Sequence, residues 1–336
     1  MKEALFWRRE GERIRCQLCP HACLISQGQR GRCQGRENRD GRLAAVNFGR
    51  ISSYAVDPIE KKPLYHFLPG CTVLSVGTVG CNFSCSFCQN WRISQLEADT
   101  WYLSPEELVR AAVGLAAEEP RLVGIAYTYS EPLVWFEYVK ETALLARKQG
   151  LVNILVTNGF VNPEPLRELL PLLDAVNLDL KAAGDSFYRR YCGGNARIPR
   201  QTAKLLSGSC HLELTCLLIP GANDKLEEVL RLADWISREL GSDVPLHLSR
   251  YFPSFKLKNP PTPETTMRQA QAIAKRKLHY VYLGNMGPED TYCGHCGKLV
   301  ISRQGRVKVN LPAGRCPACR QKAAHREHEI AAVVAD

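Results

Sequence analysis

Three things are missing from this 336-residue chain, and each removes a class of function. No secretory h-region follows the N-terminus, because the apolar run Ala4–Trp7 is cut short by Arg8, Arg9 and Glu10. No later segment is long and apolar enough to span a bilayer, so no membrane role is expected and the working compartment reads as cytoplasmic. No basic run is interleaved with aromatics, which argues against nucleic-acid binding despite a formal charge of +10. That charge speaks to association, with a phosphate-bearing substrate or an acidic partner, rather than to fold. Internal repeats and low-complexity tracts are absent too, and a 45% hydrophobic content describes an ordinary globular chain.

Cysteine, by contrast, is abundant. Fifteen cysteines in a chain without an export signal read as metal ligands or catalytic thiols rather than disulfides, because cytosolic thiols are kept reduced. They form three compact groups: Cys16, Cys19, Cys23 and Cys33; Cys81, Cys85 and Cys88; and Cys293, Cys296, Cys316 and Cys319. Cys71, Cys192, Cys210 and Cys216 are scattered and read as small apolar core residues.

Between the outer groups, short β-branched apolar runs alternate with helical stretches, the pattern of parallel strands joined by crossover helices. The runs are Val73–Gly77, Leu122–Thr128, Val152–Thr157, Ala175–Leu180, Leu212–Ile219, Val244–Ser249 and Tyr280–Leu283. Ser104-Pro105-Glu106-Glu107 announces a helix with an N-cap, an N1 proline and a capping-box glutamate, and Asp224 with Glu227 repeats the N-cap and N3 pattern. Asn162-Pro163 and Thr262-Pro263 carry weaker versions. Residues 71–287 fall short of the roughly 250 that a closed eightfold barrel usually takes, so an open or incomplete α/β barrel of six or seven β/α units is expected. Its ligands should sit at the C-terminal ends of the strands. Residues 1–70 and 288–336, rich in cysteine, glycine and charge, read as an N-terminal Cys-rich metal-binding segment and a small C-terminal metal-stabilised module.

Cys81-Asn82-Phe83-Ser84-Cys85-Ser86-Phe87-Cys88 follows directly on the first strand of this array. Three thiolates so close in sequence can wrap three corners of one cubane cluster, leaving the fourth iron open to another ligand. A zinc loop that borrows Cys71 is the structural alternative. Gly77 and Gly80 flank the loop and permit either close approach to a cofactor or an ordinary turn. Gln89-Asn90-Trp91, just after it, are placed to close over a bound ligand, or Trp91 simply packs.

The C-x3-C-x2-C spacing with Phe87 before the third cysteine resembles the radical S-adenosylmethionine superfamily. The resemblance implies a partial (β/α)6 barrel and a 4Fe-4S cluster on Cys81, Cys85 and Cys88. It also implies S-adenosylmethionine chelated at the open iron and reductively split to a 5′-deoxyadenosyl radical that abstracts hydrogen from substrate, with an electron donor such as flavodoxin or ferredoxin. Further cofactor contacts are expected from Phe87, Asn90, Ser130, Glu131, Asn158, Asp179 and Lys181. In pyruvate formate-lyase-activating enzymes, which this chain is similar to between about residues 72 and 255, the segment matching Tyr129-Ser130-Glu131-Pro132 is Gly-Gly-Glu-Pro-like and meets the ammonium of S-adenosylmethionine. Tyr129 and Ser130 stand here where the glycines would be. Asn177, Asp179 and Lys181 share one strand face, and the bland alternative for Lys181 is an internal ion pair with Asp179 or Glu213. Glu213, Thr215, His247 and Arg250 are further inward candidates without assigned roles.

Cys293-x2-Cys296-x19-Cys316-x2-Cys319 has zinc-ribbon spacing, four thiolates for one tetrahedral ion, with a rubredoxin-like iron as the alternative. Cys16-x2-Cys19-x3-Cys23-x9-Cys33 is less standard and fits zinc or an auxiliary iron-sulfur cluster, with His21 a possible substitute for one thiolate. Segments this small need a staple, which favours a structural metal. Together with Cys16-Gln17-Leu18-Cys19-Pro20-His21-Ala22-Cys23 and Asp57-Pro58-Ile59-Glu60-Lys61-Lys62-Pro63-Leu64-Tyr65-His66, the ribbon makes the whole chain resemble the radical enzyme of the AmmeMemoRadiSam system. The expected function is therefore radical chemistry on a small anionic substrate, a metabolite or nucleotide, with Arg189, Arg190, Arg197, Arg200 and Arg250 as candidate anion contacts. Two alternatives stand beside it: a glycyl-radical activase acting on a partner protein, and a zinc-dependent binding scaffold.

Overall fold

The computed structural model describes residues 2–321, so the last fifteen residues of the expected C-terminal module lie outside it. Its centre is one eight-stranded sheet whose spatial order follows the chain. The strands are β1 (Ser53–Pro58), β2 (Thr72–Gly77), β3 (Leu122–Tyr127), β4 (Val152–Thr157), β5 (Ala175–Asp179), β6 (His211–Leu218), β7 (Leu246–Arg250) and β8 (Val281–Gly284). From β2 to β8 every pairing is parallel, whereas β1 runs antiparallel to β2. Seven parallel strands with six helical crossovers make the expected partial barrel. The antiparallel β1 was not expected: its alternating inward and outward residues precede position 70 and carry none of the continuous apolar character of a strand buried on both faces.

The crossover helices are α1 (Pro105–Glu118), α2 (Phe136–Lys148), α3 (Pro163–Leu169), α4 (Arg197–Ser207), α5 (Leu226–Glu239) and α6 (Glu264–Ala274). The capping box before α1 forms in full, with Ser104 and Glu107 bonding each other's backbone N–H. At α5 the expectation fails: Lys225 occupies the N-cap, and the Asp224 carboxylate instead accepts from the Gly221 N–H in the preceding turn. Asn162 makes no side-chain cap on α3. Thr262 likewise turns away from α6, donating to the Leu218 carbonyl and accepting from the Tyr251 N–H.

Apolar side chains from one face of the sheet and from the helices packed on it form the main core, including Leu74, Ile125, Leu155, Val176, Leu214 and Leu248, while Val73, Ala126, Ile154 and Ala175 of the other face form a separate cluster. Two buried polar residues on these strands are well partnered, as burial demands: Asn153 accepts from Tyr127 Oη and donates to the Ala143 carbonyl. Glu213 accepts from the Tyr65 and His66 N–H groups and from His211 and His247. Burial opposes ionisation of Glu213, and the two histidines overcome it, holding its carboxyl well below the usual range. Glu213 and His247 therefore pin the segment after β1 to the sheet.

Both flanking segments pack on the barrel. Arg36, from a small N-terminal antiparallel sheet, pairs with Glu137 of α2 at 2.7 Å, both side chains almost fully buried. In the C-terminal module Arg303 donates to the carbonyls of Tyr65 and Glu289 and to Thr291 Oγ1. Edge strand β8 is met by side chains: Leu283 N–H donates to Glu289, while Gln271 donates to both the Val281 carbonyl and Glu289.

Candidate active site

A cavity of about 380 Å³ opens at the C-terminal ends of β2 to β7. All ten residues expected from the sequence to hold cluster and cofactor line it: Cys81, Cys85 and Cys88 with Phe87 and Asn90, then Ser130 and Glu131, Asn158, and Asp179 with Lys181. Strand geometry explains the gathering, since each residue group stands where an apolar strand gives way to its loop.

The cluster loop is held by backbone bonds to two other loops. Ser84 N–H and Ser86 N–H donate to the carbonyls of Cys192 and Tyr191, while Ser86 O accepts from the N–H groups of Lys256 and Leu257. Cys81 Sγ accepts from the Phe83 N–H at 3.3 Å, and Cys88 Sγ lies 3.2 Å from Ser94 Oγ. Burial pushes the Cys81 thiol well up, and the nearby Glu131 adds to it. Cys85 moves the other way, held down by a hydrogen bond from the Cys192 thiol and by Lys181. Cys192, read from sequence as a core residue, is thus a direct neighbour of this thiol; nothing in its spacing signals that.

The spacing of the three thiols tests what they can hold. Among the described residues, the one group of three or more potential ligands whose donor atoms all lie within 4.8 Å of one another is Cys293, Cys296, Cys316 and Cys319. There Cys293 Sγ and Cys319 Sγ are 3.7 Å apart and Cys296 Sγ and Cys316 Sγ 3.6 Å. A tetrahedral ion with Zn–S of about 2.3 Å requires roughly this separation. Cys81, Cys85 and Cys88 are wider apart than that and face open space, which suits a multi-atom cluster rather than one ion. Cys71 offers no fourth ligand, being buried in a separate apolar cluster with Ile59, Phe67 and Val73.

Glu131 is 2% exposed. It accepts from Thr157 Oγ1 (2.6 Å), Asn158 N–H (2.8 Å) and Leu133 N–H (3.0 Å). Burial raises its carboxyl to about 7 against those three donors. Asn158 also donates to Asn82 Oδ1 and approaches Cys81 Sγ at 3.6 Å. Lys181 pairs with Asp179 at 2.6 Å, the internal ion pair that the sequence left open, and not with Glu213. Burial disfavours its charge, but Asp179 and then Cys85 outweigh this and raise it.

The sequence profile of the Radical SAM superfamily matches residues 75–233, which carry the cluster loop, Glu131, Asn158, Asp179 and Lys181. An uncharacterized protein of Methanocaldococcus jannaschii, MJ0808, is 39% identical over 336 residues, spanning 96% of this chain and 98% of that protein. The chain belongs to the radical SAM superfamily. It is also related to pyruvate formate-lyase 1-activating enzyme of Escherichia coli, 26% identical over 182 residues, 51% of this chain and 71% of that one. In fold it resembles the FeFe-hydrogenase maturase HydG from Carboxydothermus hydrogenoformans, at a TM-score of 0.50 and 16% identity, covering 68% of this chain and 57% of that one. No described helix is long and apolar enough to cross a membrane.

Other sequence candidates of this radical SAM protein stand elsewhere. Gly77 and Gly80 do allow close approach, but to protein: a Cβ on Gly77 would come within 2.7 Å of the Thr128 carbonyl, and on Gly80, at φ +95°, within 2.2 Å of the Cys33 carbonyl. Trp91 stacks on Phe255 and stays out of the cavity, while Gln89 and Asn90 line it. None of the five candidate arginines lines it: Arg189 pairs with Asp185, Arg200 bonds the Ala183 carbonyl and Arg250 bonds Thr262 O and Glu264. The cations that do are Lys61, Lys62 and Lys181. Lys61, Lys62 and Pro63 form a wall from the N-terminal segment, whose sequence showed family resemblance but no site. Lys62 and the Tyr129 hydroxyl both bond Asp57 Oδ2 at 2.8 Å and, against burial, hold its carboxyl well below the usual range.

Proposed function

We propose that Cys81, Cys85 and Cys88 hold a 4Fe-4S cluster beside bound S-adenosylmethionine, and that this enzyme acts on a small anionic substrate. When bound, the two groups supply a 5′-deoxyadenosyl radical for hydrogen abstraction. The observation that carries the reading is the convergence of three widely spaced thiols, a buried carboxylate and a buried ion pair on one cavity. Glu131, fixed by its three donors, would meet the cofactor ammonium. Asp179 and Lys181, being already paired, present both a charge acceptor and a donor without reorganisation. The C-terminal cysteines would hold structural zinc: their four donor atoms lie within 4.8 Å of one another, and backbone N–H groups of Cys319 and Ala318 pull the Cys316 thiol down to about 6.

The small-substrate part rests on Lys61-Lys62-Pro63, which walls the mouth, and on the net positive charge of Lys61 and Lys62, which share the single carboxylate of Asp57. An activase would instead have to admit a peptide loop past this wall. The test is anaerobic turnover of the reconstituted protein with S-adenosylmethionine, a strong reductant and deuterated metabolite pools. Deuterium in 5′-deoxyadenosine without any added protein supports the proposal; transfer only when a partner protein is supplied rejects it in favour of the activase.

A further inference from the structure

The N-terminal cysteines surround a small cavity of their own, lined by Cys16, Cys19, Cys23 and Cys33 with His21 and Arg36. Within the same molecule the ribbon shows what a single-ion site looks like, with paired sulfurs 3.6 and 3.7 Å apart. No three of the N-terminal thiols draw together within 4.8 Å, although all four face the same space. Four thiols that line one small cavity without drawing to single-ion distances match the four cysteine corners of a cubane.

A second observation points the same way. Arg36 is 0% exposed, and its Nε and Nη2 have no hydrogen-bond partner among the described residues, since Glu137 takes only Nη1. Unpaired guanidinium donors this deeply buried are costly unless a ligand accepts them. The sulfides and thiolates of an anionic cluster are such acceptors.

This cavity also borders the cluster loop. Asn82, the neighbour of Cys81, lines it, and its carbonyl lies 2.8 Å from His21 Nε2. Gly80, the other neighbour of Cys81, has room for no side chain against the Cys33 carbonyl. Cys19 and Cys23 are part-exposed, and the exposed Arg32 donates to Ser84 Oγ of the cluster loop.

We propose that Cys16, Cys19, Cys23 and Cys33 hold a second 4Fe-4S cluster that relays electrons from a low-potential donor protein to the cluster on Cys81, Cys85 and Cys88. One electron enters as the donor is oxidised, and the same electron leaves toward the Cys81 loop; no bond is made or broken. The relay role rests on the proposed function, whereas the site itself does not.

Metal and sulfide analysis of the anaerobically reconstituted full chain tests the site. About eight iron, eight sulfide and one zinc per chain are expected; about four iron with two zinc would overturn it. The Cys81→Ala/Cys85→Ala/Cys88→Ala variant should retain about half the iron and sulfide and a reducible cluster signal in electron resonance. If it binds a second zinc and no iron, the site is a staple. Should the wild type carry only the N-terminal cluster, the proposed active site fails and this inference stands. For the relay, Cys19→Ala/Cys23→Ala should slow reduction of the remaining cluster by reduced flavodoxin at least about tenfold while leaving its reduction by titanium citrate unchanged. Equal rates with flavodoxin would refute the relay, and the wild-type stoichiometry decides the site whether or not that variant folds.

Discussion

Replacing Glu131 with glutamine removes a charge from the cavity wall while keeping the side chain's shape. The carboxyl is raised to about 7 by burial, so near neutrality it is about half ionised in the free protein. A bound ammonium needs the ionised form. The ionised share falls from about one half at pH 7 to roughly one tenth at pH 6, which predicts about a fivefold loss of S-adenosylmethionine affinity over that unit. Glu131→Gln loses a charge-assisted hydrogen bond of about 1.5–3 kcal/mol, or about 10- to 150-fold in Kd, and its affinity should not vary between pH 6 and 8. Stability moves separately. The folded pKa lies above the ordinary 4.5, so the stabilising proton is fully held below pH 4.5 and lost as pH rises through 7, up to about 3 kcal/mol. The glutamine variant lacks that decline, but it turns an NH2 toward one of three donors at a cost of about 1–3 kcal/mol. Calorimetric titration at pH 6, 7 and 8 checks the binding. Wild-type affinity that is flat across this range, or a variant within twofold of wild type, would show that Glu131 does not meet the cofactor's cation.

Cys88→Ala should abolish 5′-deoxyadenosine formation while the chain still folds; retained cleavage, read by chromatography of the anaerobic reaction, would refute the assignment. Replacing Cys316 and Cys319 should release one metal and unfold the C-terminal module, since metal binding and folding are one equilibrium in units this small. Electron resonance of the cluster should persist, and its loss from a folded barrel would make the ribbon part of the redox machinery. Arg303→Met leaves the carbonyls of Tyr65 and Glu289 without their donor and Glu60 without a nearby cation; a loss of about 3–5 kcal/mol, seen in the thermal midpoint, is expected.

Parallel strands were legible because burial on both faces writes them as continuous apolar runs, and Val152–Thr157 was readable to the residue. That the cluster loop and the strand-end residues line one cavity was legible because such folds open their cavities where those runs end. β1 was not, since an antiparallel edge strand alternates and resembles loop sequence. The wall made by Lys61-Lys62-Pro63 and the thiol of Cys192 depend on contacts across more than a hundred residues for the latter and on the path of an irregular segment for the former. Spacing within the chain carries no record of either. The arginines misled for a related reason: count and charge say nothing of direction, and nearby carbonyls and carboxylates claimed the donors of Arg189, Arg200 and Arg250.

The side chains that meet β8 have a consequence for the molecule among others of its kind. A parallel sheet that does not close has a free rim, and a rim with open N–H and C=O groups invites a strand from a second chain. Here Gln271 and Glu289 occupy the groups of Val281 and Leu283 that such a strand would seek. Glu289 comes from beyond residue 287, where the barrel ends by sequence. A chain shortened to that point would keep its cavity residues yet lose the carboxylate that blunts its rim, so self-association is the expected first fate of the isolated barrel.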